Sequence, residues 1–274
     1  MRPDKILLEK VGPVNLSECG IGCLTNRKNH GFQRKVEWLR RRFAEGLQFL
    51  LFRDGEGRPL GFLEYVPGEC AWRPVDASGW LFVHCLWVYP RGQRIGGLGS
   101  RLIEACLKEA RRTGAIGVAA MVSDGPWMAS KEVFLKNGFR AVGATGRFQL
   151  VTRHLREGPE PRFRKISGSA TKYRGLHVVY CPQCPMLPKS VKGLSEVAAD
   201  HGLRLKVTVL KNAREAQNAP SYYGVFSLLW NGRLLSDHYV SKARFKNLLR
   251  QEILKGKPAA AQTFTLRGGN ITKE

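Results

Sequence analysis

The chain has 274 residues, 24% of them charged and 43% hydrophobic, the balance of an ordinary globular protein with one large or two modest domains. No apolar run reaches the roughly 18 residues a membrane-spanning helix needs, and the opening MRPDKILLEKVGP has too short an apolar stretch for a secretory signal, so a cytoplasmic protein without membrane contact is expected. The 45 Lys and Arg exceed the 22 Asp and Glu by 23; nucleic acid, a phosphate-rich cofactor or a plainly basic surface would each accommodate that excess, and the spread of basic residues along the chain favours none by motif.

In chain order, residues 33–45 predict an amphipathic helix with Val36, Leu39 and Phe43 on one face and a basic outer face. Residues 47–53 and 60–66 predict a hairpin around the turn cluster DGEGRP. Residues 80–89 predict a buried central strand, and 99–113 a helix burying Leu102, Ile103, Cys106, Leu107 and Ala110, stopped by Gly114. A strand over 115–123, a short helix over 127–137 and a strand over 147–155 complete an α+β domain over 1–155. Residues 156–173 are rich in Pro, Gly and basic side chains and predict a linker. A second domain over 174–255 follows: strands at 176–180 and 203–210, a helix at 189–201, a polar helical stretch at 212–218, a hairpin over 225–240 on Asn231–Gly232, and a helix at 242–254. Residues 256–274 predict a loose tail.

The segment between the central strand and its helix, Arg94-Ile95-Gly96-Gly97-Leu98-Gly99, is the most informative stretch. Glycines let backbone N–H groups approach a pyrophosphate, and the following helix directs its positive end at the same anion. A tight turn without ligand would use similar letters. A dinucleotide fold is disfavoured, because it wants Gly-x-Gly-x-x-Gly and an acidic residue about twenty positions on.

From Trp87-Val88 through Arg94-x-x-Gly97-x-Gly99 to Leu102-Ile103, and again at Asn137-Gly138-Phe139, the chain resembles the GNAT acetyltransferase superfamily. The stretches Glu64–Glu69, Ala71–Val75 and Val83–Val88, with Tyr222–Phe226 and Asn231-Gly232, resemble acetyltransferases that carry a YoaP-like C-terminal domain. The resemblance implies a GNAT acyltransferase fold, acetyl-CoA as cofactor and an amine-bearing acceptor, small molecule or protein. It implies that the central strand splays, with Leu86 and Val88 pairing to the pantetheine arm. Gln93, Arg94, Ile95, Gly96, Gly97, Leu98, Gly99 and Ser100 would hold the pyrophosphate.

Acetyl transfer to an amine needs a proton acceptor, a polarised carbonyl and a proton for the departing thiolate. Glu64, a carboxylate mid-strand in an apolar hairpin, is the first candidate base, with Glu69 and His84 behind it. Phe134 stands where many GNAT members have a proton-donating Tyr, and Trp127 where many have an Asn, so Cys85 or Ser130 is left to donate, or the thiolate departs unassisted.

Seven cysteines, odd in number and irregularly spaced, argue for a reducing compartment. Cys181-Pro182-Gln183-Cys184 lies between a strand and a helix, the place of the redox pair in thioredoxin-like domains. A helix N-terminus there would lower a thiol pKa. A redox pair, half of a metal site and an inert fold remnant are the open readings, against a small thioredoxin-like α/β domain as the expected fold. Cys19, Cys23 and His30 supply too few ligands for a closed zinc site, and no resident metal is expected.

Overall fold

The computed structural model describes residues 6–166 and 170–254; the expected tail over 256–274 lies outside the described residues. The chain opens with β1 (Leu7–Val11), α1 (Leu16–Cys19), α2 (His30–Phe43), β2 (Gln48–Arg53) and β3 (Pro59–Pro67). After β4 (Val75–Asp76) come β5 (Leu81–Val88), α3 (Pro90–Ile95), α4 (Leu98–Thr113), β6 (Gly117–Val122), α5 (Lys131–Leu135), β7 (Arg140–Thr145) and β8 (Phe148–His154). Seven of these strands form one sheet in the order β1-β2-β3-β5-β6-β8-β7. Only β5 and β6 run parallel, joined by the crossover through α4.

The two faces of this sheet are covered differently. On one, α4 buries Leu102, Ile103, Cys106, Leu107 and Ala110 over β3, β5 and β6, and Gly114 ends it in the left-handed conformation, φ 69°. On the other lies α2, whose buried stripe differs from expectation. Phe32, Lys35, Trp38, Leu39 and Arg42 face inward, while Val36 and Phe43 are half-buried. The stripe keeps helical spacing but runs through two cations, which hydrophobicity alone would place outside. The edge strands β1 and β7 are absent from the sequence reading; their mixed, partly exposed side chains lack the apolar run of an internal strand.

The second sheet has the order β11-β10-β12-β13, from β9 (Arg162–Phe163, paired elsewhere), β10 (Leu176–Tyr180), α6 (Leu187–Asp200), β11 (Leu205–Val209), α7 (Ala213–Gln217), β12 (Phe226–Trp230), β13 (Arg233–Ser236) and α8 (Lys242–Leu248). β10 is parallel to β11 and antiparallel to β12. The expected linker is not a free tether: β9 pairs with β4, and Trp80 Nε1 donates to Pro159 O at 2.9 Å.

The C-terminal unit packs on the α2 face. One apolar core runs from Phe49, Trp38 and Trp72 into Tyr180, Leu187 and Phe226. Polar bonds pin the contact: Arg147 forks onto Asp237 at 3.1 and 2.9 Å, and Gln217 Nε2 donates to Glu69 O at 2.8 Å. Backbones approach closely as well. A Cβ on Gly31 would fall 1.9 Å from Pro185 O, so only glycine fits where α2 meets the loop after β10.

Candidate active site

The site begins where β5 leaves β6. Their pairing covers only Leu81↔Val118 to Val83↔Ala120, so residues 84–88 part from β6 while residues 85–88 stay paired to β3. A bulge marks the parting: Glu64 faces Cys85 and Tyr65 faces Val83, which leaves His84 as the extra residue. Leu86 and Val88 lie on this parted segment, and Gln93 Nε2 donates to Val88 O at 3.1 Å.

The glycine segment divides into a short helix and a helix start. Gln93, Arg94 and Ile95 lie in α3, where Gln93 N–H is already bonded to Tyr89 O and Gly96 N–H to Gln93 O. Gly96 and Gly97 take φ 77° and 67° with open space around them. Leu98, Gly99 and Ser100 form the first turn of the 16-residue α4, whose N–H groups have no helical acceptor. Of the segment's N–H groups, those of Leu98, Gly99 and Ser100 are therefore left at the positive end of α4.

A cavity of about 390 Å³ opens beside the parted strands. The N-terminal unit contributes Lys35, Phe62, Glu64, Arg73, His84, Cys85, Leu86, Trp127 and Phe134; the C-terminal unit contributes Gln183, Cys184, Pro185, Met186 and Tyr223. Glu64 is 1% exposed and tied from three directions. It is ion-paired with Lys35, accepts from Gln183 Nε2 at 3.0 Å, and lies 3.3 Å from His84 Nδ1. Burial alone would raise its pKa, but the Lys35 charge and the neighbouring imidazole outweigh it and hold the carboxyl at about 2.

His84 is not placed to act as a base. Its Nε2 accepts the Trp72 N–H at 2.9 Å, so that nitrogen is unprotonated and already occupied. Burial pushes the ring down to about 4 despite the Glu64 carboxylate. Glu69, the other sequence candidate, is exposed and accepts the Gly79 N–H at 2.7 Å.

Proton donors to a leaving group are few. Phe134 sits on the cavity wall and has nothing to donate. Ser130 caps α5, accepting from Glu132 N–H at 3.3 Å. Tyr89 donates to Gly22 O at 2.5 Å, and its hydroxyl is raised to about 12 by burial. Cys85, likewise buried against ionisation, rises to about 12. Tyr223 lines the cavity with its pKa also raised.

The Cys181–Cys184 pair departs from expectation. α6 starts at Leu187, three residues after Cys184, so neither thiol sits at a helix N-terminus. Burial raises Cys181 to about 12 and raises Cys184 too, the opposite of the shift that thiol exchange uses. Cys23 reaches the main cavity, Cys19 a smaller one, and no three His, Cys, Asp or Glu side chains gather as a metal site among the described residues.

Lys35, Arg73, Gln183 and Tyr223 were missed by the sequence reading as wall residues. For Lys35 a signal existed, its helical register with Phe32, Trp38 and Leu39. Gln183 and Tyr223 reach the site only through tertiary docking, which local pattern does not carry.

Residues 21–139 match the model of the acetyltransferase (GNAT) family and residues 205–247 the YoaP-like model. The chain is 27% identical over 242 residues to the uncharacterized N-acetyltransferase YoaP of Bacillus subtilis (strain 168), covering 86% of this chain and 95% of that protein. Similar solved structures include a GNAT-family acetyltransferase of Staphylococcus aureus (14% identity, 56% of this chain and 100% of the other, TM-score 0.43). Another is YncA of Salmonella typhimurium, solved with its cofactor acetyl-CoA (20% identity, 57% and 98%, TM-score 0.40). The chain thus carries a GNAT-family acyltransferase domain followed by a YoaP-like domain.

Proposed function

We propose that this chain transfers an acetyl group from acetyl-CoA to an amine inside a cavity that the YoaP-like domain closes. The carrying observation is the parting of β5 from β6 after Val83, with the cavity at the opening. Acetyl-CoA supplies an activated acetyl group. Leu98, Gly99 and Ser100 N–H groups would hold its pyrophosphate, and the free edge of β5 at Leu86 and Val88 its pantetheine arm.

Glu64 acts as a charge rather than as a base. A carboxylate held well below the usual range by the Lys35 charge is a poor acceptor for the proton of an ordinary primary ammonium. The amine therefore enters neutral, and ionised Glu64 stabilises the positive charge that develops on nitrogen. Its carboxylate has roughly four acceptor positions, of which Lys35 and Gln183 engage two, with His84 Nδ1 3.3 Å away. The protonated wall groups available to the departing thiolate are Tyr223 and the Cys23, Cys85 and Cys184 thiols, Tyr89 being bonded to Gly22.

For the C-terminal unit we propose a thioredoxin-like fold put to a structural use. The β-α-β-α-β-β-α order and the sheet β11-β10-β12-β13 support that reading, and the raised thiols support a wall role for Cys184. All seven cysteines are free, in keeping with the reducing cytoplasm. The test is calorimetric binding of acetyl-CoA to the chain and to Gly97→Glu. Binding by the first and its loss in the second are expected; equal binding would remove the cradle from the account.

A further inference from the structure

The cavity carries an uncompensated positive charge. At neutral pH its charged side chains are Lys35, Arg73 and Glu64. Lys35 is spent on Glu64. His84 is neutral by geometry, because its Nε2 accepts a backbone N–H, and burial holds the wall thiols and tyrosines protonated. Arg73 is 2% exposed and has no carboxylate within ion-pair reach among the described residues.

Arg73 is also rigidly presented. Its Nη1 donates to Trp72 O at 2.8 Å and its Nη2 to His84 O at 3.3 Å, both outside any charge pair. Its guanidinium lies 5.0 Å from the ring centre of Tyr223, against the C-terminal unit. Two neutral carbonyls and an aromatic face do not neutralise a buried guanidinium, and such a charge is costly unless an anion meets it. A guanidinium with N–H groups to spare is built to receive a planar carboxylate. The volume, which must also admit the acetyl end of the cofactor, leaves room for a small molecule rather than a folded protein.

We propose that the acceptor is a small amine that also bears a carboxylate, of amino-acid type, with Arg73 receiving the carboxylate while the amine faces Glu64. This rests on the acetyl-transfer reading above and specifies its acceptor.

The test compares amino acids with their own carboxamides as acceptors for the unmodified full chain, following the N-acetyl product by mass spectrometry. Rates are compared per neutral amine throughout, because an α-amine is less basic beside a carboxamide than beside a carboxylate; on that footing the acid is expected to exceed the amide in kcat/KM by about tenfold to a hundredfold, the worth of one charge-assisted contact. Arg73→Gln should collapse that ratio towards one, and Arg73→Lys should restore part of it. Equal turnover of acid and amide by the unmodified chain would overturn the inference and leave acetyl transfer standing. Should no amine be acetylated while acetyl-CoA binds, the acetyl-transfer reading fails by itself. Calorimetric titration of N-acetyl amino acids against their amides then decides the anion site directly: preferential binding of the acid, lost in Arg73→Gln, supports it, and no preference overturns it.

Discussion

Glu64 sets the pH behaviour of the site. Its folded pKa of about 2 lies below the ordinary carboxylate range, so its stabilisation is complete above about pH 4.5 and is lost as pH falls towards 2. His84, buried neutral at about 4, adds a loss that begins as pH drops below about 6.5, where the unfolded ring takes up a proton. Denaturant unfolding should therefore show stability falling from about pH 6.5 downwards, steepening below about 4.5. Glu64→Gln leaves Lys35 buried without its counter-charge and should cost about 3–5 kcal/mol while flattening the lower limb. Neither group titrates between pH 7 and 9, so kcat/KM should rise with pH along the ionisation of the acceptor amine. Two acceptors of different amine pKa should give limbs displaced by that difference; one shared limb would mean an enzyme base. Glu64 was legible in the sequence because a carboxylate in an apolar hairpin demands an explanation. Arg73 was not, because a buried cation in a loop reads as a surface residue until its tertiary neighbours are known, and Lys35 shows only in its helical register with Phe32, Trp38 and Leu39.

The β5–α4 unit is the element to which cofactor binding is assigned under the proposed function, and it was the most legible part of the chain. An apolar run, a glycine cluster and an amphipathic helix each have a local signature, and the buried stripe of α4 is the one its spacing predicts. What the letters did not carry was the partition of the glycine segment into α3 and the start of α4, a matter of one or two backbone bonds. Gly97 has a left-handed φ of 67°, but nothing lies within 4 Å of where a Cβ would stand, so Gly97→Ala should cost only about 1 kcal/mol in unfolding stability and keep acetyl-CoA binding. Gly97→Glu, which sets a carboxylate against the phosphates, should lose it. Equal loss in both variants would point to backbone strain rather than to charge as the cause.

At the scale of the whole molecule, the two sheets share one apolar core, and the Glu64 cluster is closed by Gln183 from the second sheet. Local sequence pattern does not carry their docking, since the bonds that join them, Arg147–Asp237, Gln183–Glu64 and Gln217–Glu69, span 90 or more residues. Thermal unfolding should accordingly be one cooperative transition, and a chain ending at residue 166 should expose Trp38 and Trp72 and aggregate. Two separated transitions, with a stable N-terminal fragment, would contradict shared packing. The most direct measurement of the central claim is the initial rate of N-acetyl product formation from acetyl-CoA and a panel of small amines, with the full chain and with Gly97→Glu. Acetylated amine from the full chain, reduced at least about a hundredfold in Gly97→Glu, is the predicted result; acetyl-CoA bound but never passed to any amine would contradict it.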